Sequence, residues 1–302
     1  MKIILTGSLG NIGKPLTRQL VHDGHSVTVI SSHDERRRAI EALGAKAAIG
    51  MVTDVEFLTR IFRGADVVYL MGIWEAIGSL FDANVDFEAG FNRLANTYKQ
   101  AILETGIKKV IYLSTIGAHT NKGNGVLAYH HLVEQVLHTL PVMISIKFMR
   151  PVGFYTNLYR SIPTILSQNA IVQNFGSDTP EPWVSPLDIA HTIADEIDKP
   201  FDGRTVRYIT SEEISATEIA KQLGEAIGKS DLKWMVIPDE TLLYGMLSLG
   251  MNKTIASGFI EMQAAQRNGS LYEDYYRNKP LPGKVKFAEF AKDFALVYSQ
   301  QD

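Results

Sequence analysis

Over its first 150 residues the chain alternates short apolar, β-branched runs with longer stretches whose apolar positions recur every three or four residues. That is the pattern of a parallel sheet covered by helices. Lys2 to Thr6 reads as a first strand and Ile12 to His22 as a helix, with Pro15 tolerated in its opening turn. Ser26 to Ile30 gives a second strand, and Glu35 to Leu43 a helix stopped by Gly44. Ala45 to Ile49 is a weaker third strand, after which Asp54 is placed to cap a helix carrying Leu58, Ile61 and Phe62. Ala65 to Met71 follows as a fourth strand. A long helix from about Val85 to Glu104 then sets Phe87, Phe91, Leu94, Tyr98 and Ile102 on one stripe before Gly106 ends it. Lys108 to Ser114, a helix over roughly Gly125 to Leu140, and a strand from Val142 to Met149 complete the series.

After Pro151 the alternation breaks, because prolines at 163, 180, 182, 186 and 200 punctuate a looser stretch. Asp188 to Asp198 reads as a helix, Thr205 to Thr210 as a strand, Ser215 to Ile227 as a helix with Glu218 three residues after its Ser cap, and Trp234 to Ile237 as a short strand. Phe287, Phe290, Ala291, Phe294 and Val297 predict an amphipathic C-terminal helix.

Composition changes this picture little. An apolar share of 45% and a charged share of 21% are globular averages and exclude a disordered chain. Thirty basic against 33 acidic residues leave a formal charge of -3, so no global field draws the chain to nucleic acid or an anionic membrane. The absence of cysteine removes disulfides, thiol nucleophiles and Cys-ligated zinc. Met1 runs at once into a strand, and the longest apolar stretch, Leu242 to Met251, is too short to span a bilayer. The expectation is a cytoplasmic protein without a signal peptide.

The strongest chemical signal is Thr6-Gly7-Ser8-Leu9-Gly10-Asn11-Ile12-Gly13, directly after the first strand and opening the first helix. Gly7, Gly10 and Gly13 allow a tight turn, close approach of the backbone to a pyrophosphate, and close packing of helix on strand, while the helix start offers free N–H groups to an anion. Ser8, Asn11 and Ile12 join the candidate cofactor contacts. The end of the second strand, where such a domain reads the adenosine ribose, carries Ser31-Ser32-His33-Asp34-Glu35-Arg36-Arg37-Arg38. Ser31, Ser32 and Arg36 suit a 2′-phosphate and favour NADP(H). NAD(H) remains open if Asp34 takes the ribose hydroxyls and the arginines are a solvated helix face. The predicted architecture is α/β: a doubly wound parallel-sheet Rossmann domain over 1–152, to which 183–210 returns, and a smaller α+β substrate-side domain over 211–302 with 153–182.

With this turn, the strand end Leu113-Ser114-Thr115-Ile116-Gly117-Ala118, the segment Arg150-Pro151-Val152-Gly153-Phe154-Tyr155-Thr156-Asn157-Leu158, and Ser185-Pro186-Leu187-Asp188-Ile189-Ala190, the chain resembles the NmrA-like branch of the atypical short-chain dehydrogenases over nearly its whole length. The resemblance implies NAD(P) held between the two domains, with Met71, Gly72, Ser114, His130 and Pro151 beside it and Phe154 and Asn157 toward substrate. Some members are reductases and others are nonenzymatic redox sensors. Classical and extended short-chain dehydrogenases use a Tyr-x-x-x-Lys pair on the helix after the fifth strand. Here, with Glu134 as anchor, the Lys slot holds His130 and the Tyr slot Val126. Neither catalytic residue is present. Thr115 or Ser114 could orient a carbonyl or simply cap the strand, and Tyr129 is the one nearby phenol.

Other candidates are weaker. His130, Glu134 and His138 at four-residue spacing make a metal conceivable, but nothing else in the sequence supports one. Trp74 falls at the carboxyl edge of the sheet, where it could stack on substrate or merely pack. Tyr272, Tyr275, Tyr276 and the Met and Leu run from 246 to 251 could line an apolar pocket, with core or dimer packing the plainer reading. Two functions follow. One is an NADPH-dependent reductase of a small conjugated, quinone- or azo-like substrate; the other is a non-catalytic sensor of NADP(H) state acting through a regulatory protein partner.

Overall fold

The computed structural model describes residues 1–301. In chain order its first half reads β1 (Lys2–Leu5), α1 (Gly13–His22), β2 (Ser26–Ser31), α2 (Arg37–Glu41), β3 (Lys46–Ile49), α3 (Val55–Phe62), β4 (Val67–Met71), α4 (Phe87–Thr105), β5 (Lys109–Leu113), α5 (Ala128–His138) and β6 (Ser145–Pro151). The second half gives β7 (Gly153–Phe154), α6 (Ile162–Gln168), β8 (Ala170–Gln173), β9 (Glu181–Val184), α7 (Pro186–Asp198), β10 (Arg204–Ile209), β11 (Glu212–Ile214), α8 (Ala216–Ala226), β12 (Lys233–Val236), α9 (Asp239–Ser248), α10 (Lys253–Arg267), α11 (Glu273–Arg277) and α12 (Phe287–Tyr298). Side-chain caps set several boundaries. Asp54, Asp86 and Ser215 accept the Phe57, Ala89 and Glu218 N–H groups, and Gly106 closes α4 in a left-handed conformation.

Seven strands form one parallel sheet in the order β10-β6-β5-β4-β1-β2-β3. The chain starts in the middle, winds outward to β3, and returns beside β1 to wind the other way, which leaves a crevice where β1 and β4 diverge. Apolar strands are buried on both faces. On one face Leu16 and Leu20 of α1 and Ile189 and Ile193 of α7 pack on Val29, Tyr69 and Ile111. Opposite, Leu58, Phe91, Leu94, Tyr98, Val133 and Leu137 cover Ile4, Val68, Tyr112 and Phe148. The later elements build a separate core around Tyr155, Ile165, Ile219, Leu223, Phe287, Phe290 and Phe294, beside a three-stranded sheet in the order β11-β9-β7. Asn252, capping α10, donates to the Asp82 and Val85 carbonyls at 3.0 and 3.3 Å, which ties this part of the chain to the loop before α4.

Several elements depart from the sequence reading. The second helix opens as a 3-10 turn over Asp34–Arg36 and has only five α-helical residues, since Ile40 alone is buried along it. The sixth strand starts at Ser145; Val142 and Met143 instead lie exposed in a turn closed by the Ile144 N–H on the Pro141 carbonyl at 3.0 Å. The 246 to 251 run is not core. Its first half ends α9, a helix with no fully buried residue, and its second half follows that helix; Leu249 is 77% exposed, Tyr244 of α9 75%, and Met251 only packs from the side on a small cluster. Tyr272 and Tyr275 are buried, whereas Tyr276 stands half-exposed. No helix among the described residues is long and apolar enough to cross a membrane.

Candidate functional site

The glycine turn sits at the carboxyl end of β1, in the crevice between β1 and β4. Gly7 has φ +89°, and a Cβ there would lie 2.0 Å from the Met71 sulfur. A Cβ on Gly13 would lie 2.1 Å from the Ser8 carbonyl oxygen, so that glycine lets α1 close against the turn. Gly10 differs, since nothing stands within 4 Å of its Cβ position. The turn is thus packed tightly behind and open in front, a cradle with α1 starting behind it, which fits a pyrophosphate. Ser8 takes φ +56°, Asn11 is exposed, and Ile12 is buried at the entry to α1. Thr6 supports the cradle from below, its hydroxyl accepting the Met71 N–H at 3.1 Å, while Tyr98 donates to the Met71 carbonyl at 3.0 Å.

At the end of β2, Arg36 reaches back and donates to the Ser8 hydroxyl at 3.2 Å. Ser31 is buried, its hydroxyl accepting the His33 N–H at 3.2 Å, and Ser32 is exposed. Asp34 is held by Arg37 through bonds of 3.0 and 2.7 Å, and is itself largely exposed. The acid is therefore already paired with a cation, and Arg36 is the charged group touching the glycine turn.

On the other side of the crevice, Ser114 and Ile116 donate backbone N–H groups to the Met149 and Pro151 carbonyls at 2.8 Å each, which binds the end of β5 to β6. Thr115 between them is half-buried. The Ser114 hydroxyl points the other way and donates to Glu134 at 2.5 Å. Glu134 also receives Arg150 in a two-pronged contact of 3.0 and 2.6 Å. Arg150 donates onward to Tyr208 and Asp274, and Tyr208 to Asp274 at 2.5 Å. Burial opposes the Arg150 charge, but the Glu134 carboxylate more than offsets this and holds the guanidinium ionised. Ser114 is spent on this network, and so is Glu134, which removes the carboxylate that a metal between His130 and His138 would need. Among the described residues no three His, Cys, Asp or Glu side chains gather to hold a metal.

His130 lies against Gly72, its Cε1 3.3 Å from where a Cβ on that glycine would be, and its Nδ1 is 3.0 Å from the Tyr112 hydroxyl. Burial pushes its imidazole down to about 4. The unfolded chain takes up the same proton near the ordinary 6.5, so this group's contribution is full above about pH 6.5 and is lost as pH falls toward 4. Wild type is expected to lose up to about 3 kcal/mol more than His130→Gln across that interval in pH-dependent urea unfolding. Equal slopes would contradict an imidazole kept neutral by partial burial.

Val126, in the Tyr slot, is buried. Tyr129 is stacked on Phe91 at 5.1 Å and edge-on to Trp74 at 5.5 Å, and Trp74 also meets Phe87 and Phe91. Trp74 is therefore a member of an aromatic cluster rather than a free platform. Phe154 pairs with Val184 across β7 and β9 and packs on the first core, and Asn157 is exposed in the 3-10 turn Tyr155–Ser161. Sequence reasoning missed Tyr112, the support that Thr6 and Tyr98 give to Met71, and the joining of Glu134 to Arg150. An arginine inside an apolar strand was the one visible signal, because a buried cation demands a partner.

Residues 7–140 match a family model described as NAD(P)H-binding. Over 245 residues the chain is 22% identical to the photosystem II assembly factor Ycf39 of Synechocystis sp., covering 81% of this chain and 73% of that protein. An NADPH-dependent quinone oxidoreductase of Escherichia coli, solved with NADPH, superposes with a TM-score of 0.77 at 18% identity over 96% of this chain and 99% of that one. The triphenylmethane reductase of Citrobacter sp., solved with NADP(H), gives 0.71 at 17% identity over 97% and 99%. The chain has a Rossmann fold, and residues 7–140 of it match the NAD(P)H-binding model.

Proposed function

We propose that the protein is an NADPH-dependent reductase of a small conjugated acceptor, quinone- or azo-like. The observation that carries this reading is a glycine cradle open at Gly10 combined with the lack of a phenol–ammonium pair at the Tyr and Lys slots, Val126 being buried in the turn before α5 and His130 held neutral on it. The cofactor supplies a hydride when bound; the rest falls to the chain. Gly7, Gly10 and Gly13 receive the pyrophosphate, with Ser8, Asn11 and Ile12 around it, while Ser31, Ser32 and Arg36 read the 2′-phosphate. Met71, Gly72 and Pro151 wall the nicotinamide end, where Thr115 is free to orient an acceptor oxygen, and Trp74, Phe154 and Asn157 bound the substrate side. No side chain named here is a strong acid toward the substrate, so acceptors that take their proton from water are favoured over simple ketones. The quinone and dye reductases among the structural neighbours support that substrate class.

Arg36→Ala is expected to weaken NADPH by roughly 1 to 3 kcal/mol and leave NADH unchanged. NADH binding as tightly as NADPH to the wild type would hand the ribose to Asp34. In turnover assays a quinone should outpace a ketone, and fast ketone reduction lost only in Tyr129→Phe would overturn the reading. The second reading is a redox sensor acting on a protein partner. The assembly-factor relative favours it, and intact NADPH binding without turnover of any acceptor would select it.

A further inference from the structure

We propose that Tyr112 is a positioning residue: its hydroxyl donates to Nδ1 of His130, fixes the Nε2–H tautomer, and leaves one N–H donor beside Gly72 for the nicotinamide ribose. Tyr112 lies on β5 and is fully buried, and among the described residues its hydroxyl has no hydrogen-bond partner but His130. If Nδ1 carried the proton, the Tyr112 O–H would be left without an acceptor in the core, at a cost that the opposite arrangement avoids. Phe91 Cε1, His130 Cε1 and the Tyr112 oxygen lie 2.8, 3.3 and 3.5 Å from the Cβ position of the buried Gly72, so the lack of a side chain there lets these rings close on the backbone just past β4. Nδ1 is occupied and the ring is only half-buried, which leaves Nε2 as the nitrogen able to meet a ligand. A neutral imidazole is a donor at one nitrogen only, so the partner of the other decides which. The ribose contact rests on the cofactor reading above; the tautomer does not.

The test is nitrogen-15 NMR of histidine-labelled protein without cofactor, the His130 signals being those absent from His130→Ala. Wild type is expected to show protonated Nε2 and bare Nδ1, and Tyr112→Phe a mixture of tautomers at an unchanged fold. NADPH affinity should fall about five- to tenfold in Tyr112→Phe, the value of one neutral hydrogen bond, and no further when that change is added to His130→Ala. Protonated Nδ1 in the wild type, or additive losses in the double variant, would overturn the positioning role. Failure of the wild type to bind NADPH would overturn the ribose contact, and the spectra of the free protein would still decide the tautomer.

Discussion

Gly10→Val is expected to fold like the parent and to lose at least about 100-fold in NADPH affinity, because a branched side chain would fill the space through which the backbone meets a pyrophosphate. Gly10 has nothing within 4 Å of its Cβ position, so the substitution costs the free protein little. Gly13→Ala makes the control. Its methyl would meet the Ser8 carbonyl at 2.1 Å, and that oxygen belongs to the backbone of the turn and cannot swing aside. This variant should lose affinity and also roughly 1 to 3 kcal/mol of stability. Thermal melts with calorimetric titration separate the two. Unchanged affinity in a folded Gly10→Val protein would remove the turn from the cofactor site.

The second large effect belongs to Arg150. Arg150→Met leaves Glu134, whose side chain is 1% exposed, as an unpaired buried carboxylate, and should cost roughly 3 to 5 kcal/mol in urea unfolding. Changing Glu134 to Gln in the same protein should recover part of that loss, since the amide needs no counter-charge. The network also joins the end of β5, through Ser114, to Asp274 on α11, so the single variant should loosen the nicotinamide side of the crevice before the glycine turn. A loss below about 1 kcal/mol in Arg150→Met would mean that the pair is not the buried unit its geometry describes.

The first half of the fold was legible because parallel strands covered on both faces are written as unbroken apolar runs, and because Asp54 and Gly106 mark helix ends by local chemistry. The second helix was read too long because Gly44 marks where the stretch stops, while its opening is a 3-10 turn and Ile40 alone anchors it. Elements α9 and α10 were missed, the first because its apolar residues have no polar face to set a period, the second because few of its positions are buried. In the site, the glycine turn is local and was visible. The Arg150 contacts join residues 16, 58 and 124 positions apart, and the Tyr112 to His130 bond crosses from strand to helix. No spacing rule reports such pairs. Trp74 was placed at the right edge of the sheet, but its commitment to Phe87, Phe91 and Tyr129 depends on helix packing that sequence does not specify.

The most direct test of the account is calorimetric titration of the full chain with NADPH and, in parallel, NADH. Saturable binding of one NADPH per chain, tighter than NADH and lost in Gly10→Val, is the predicted result. The absence of saturable binding by either dinucleotide to folded protein would contradict it.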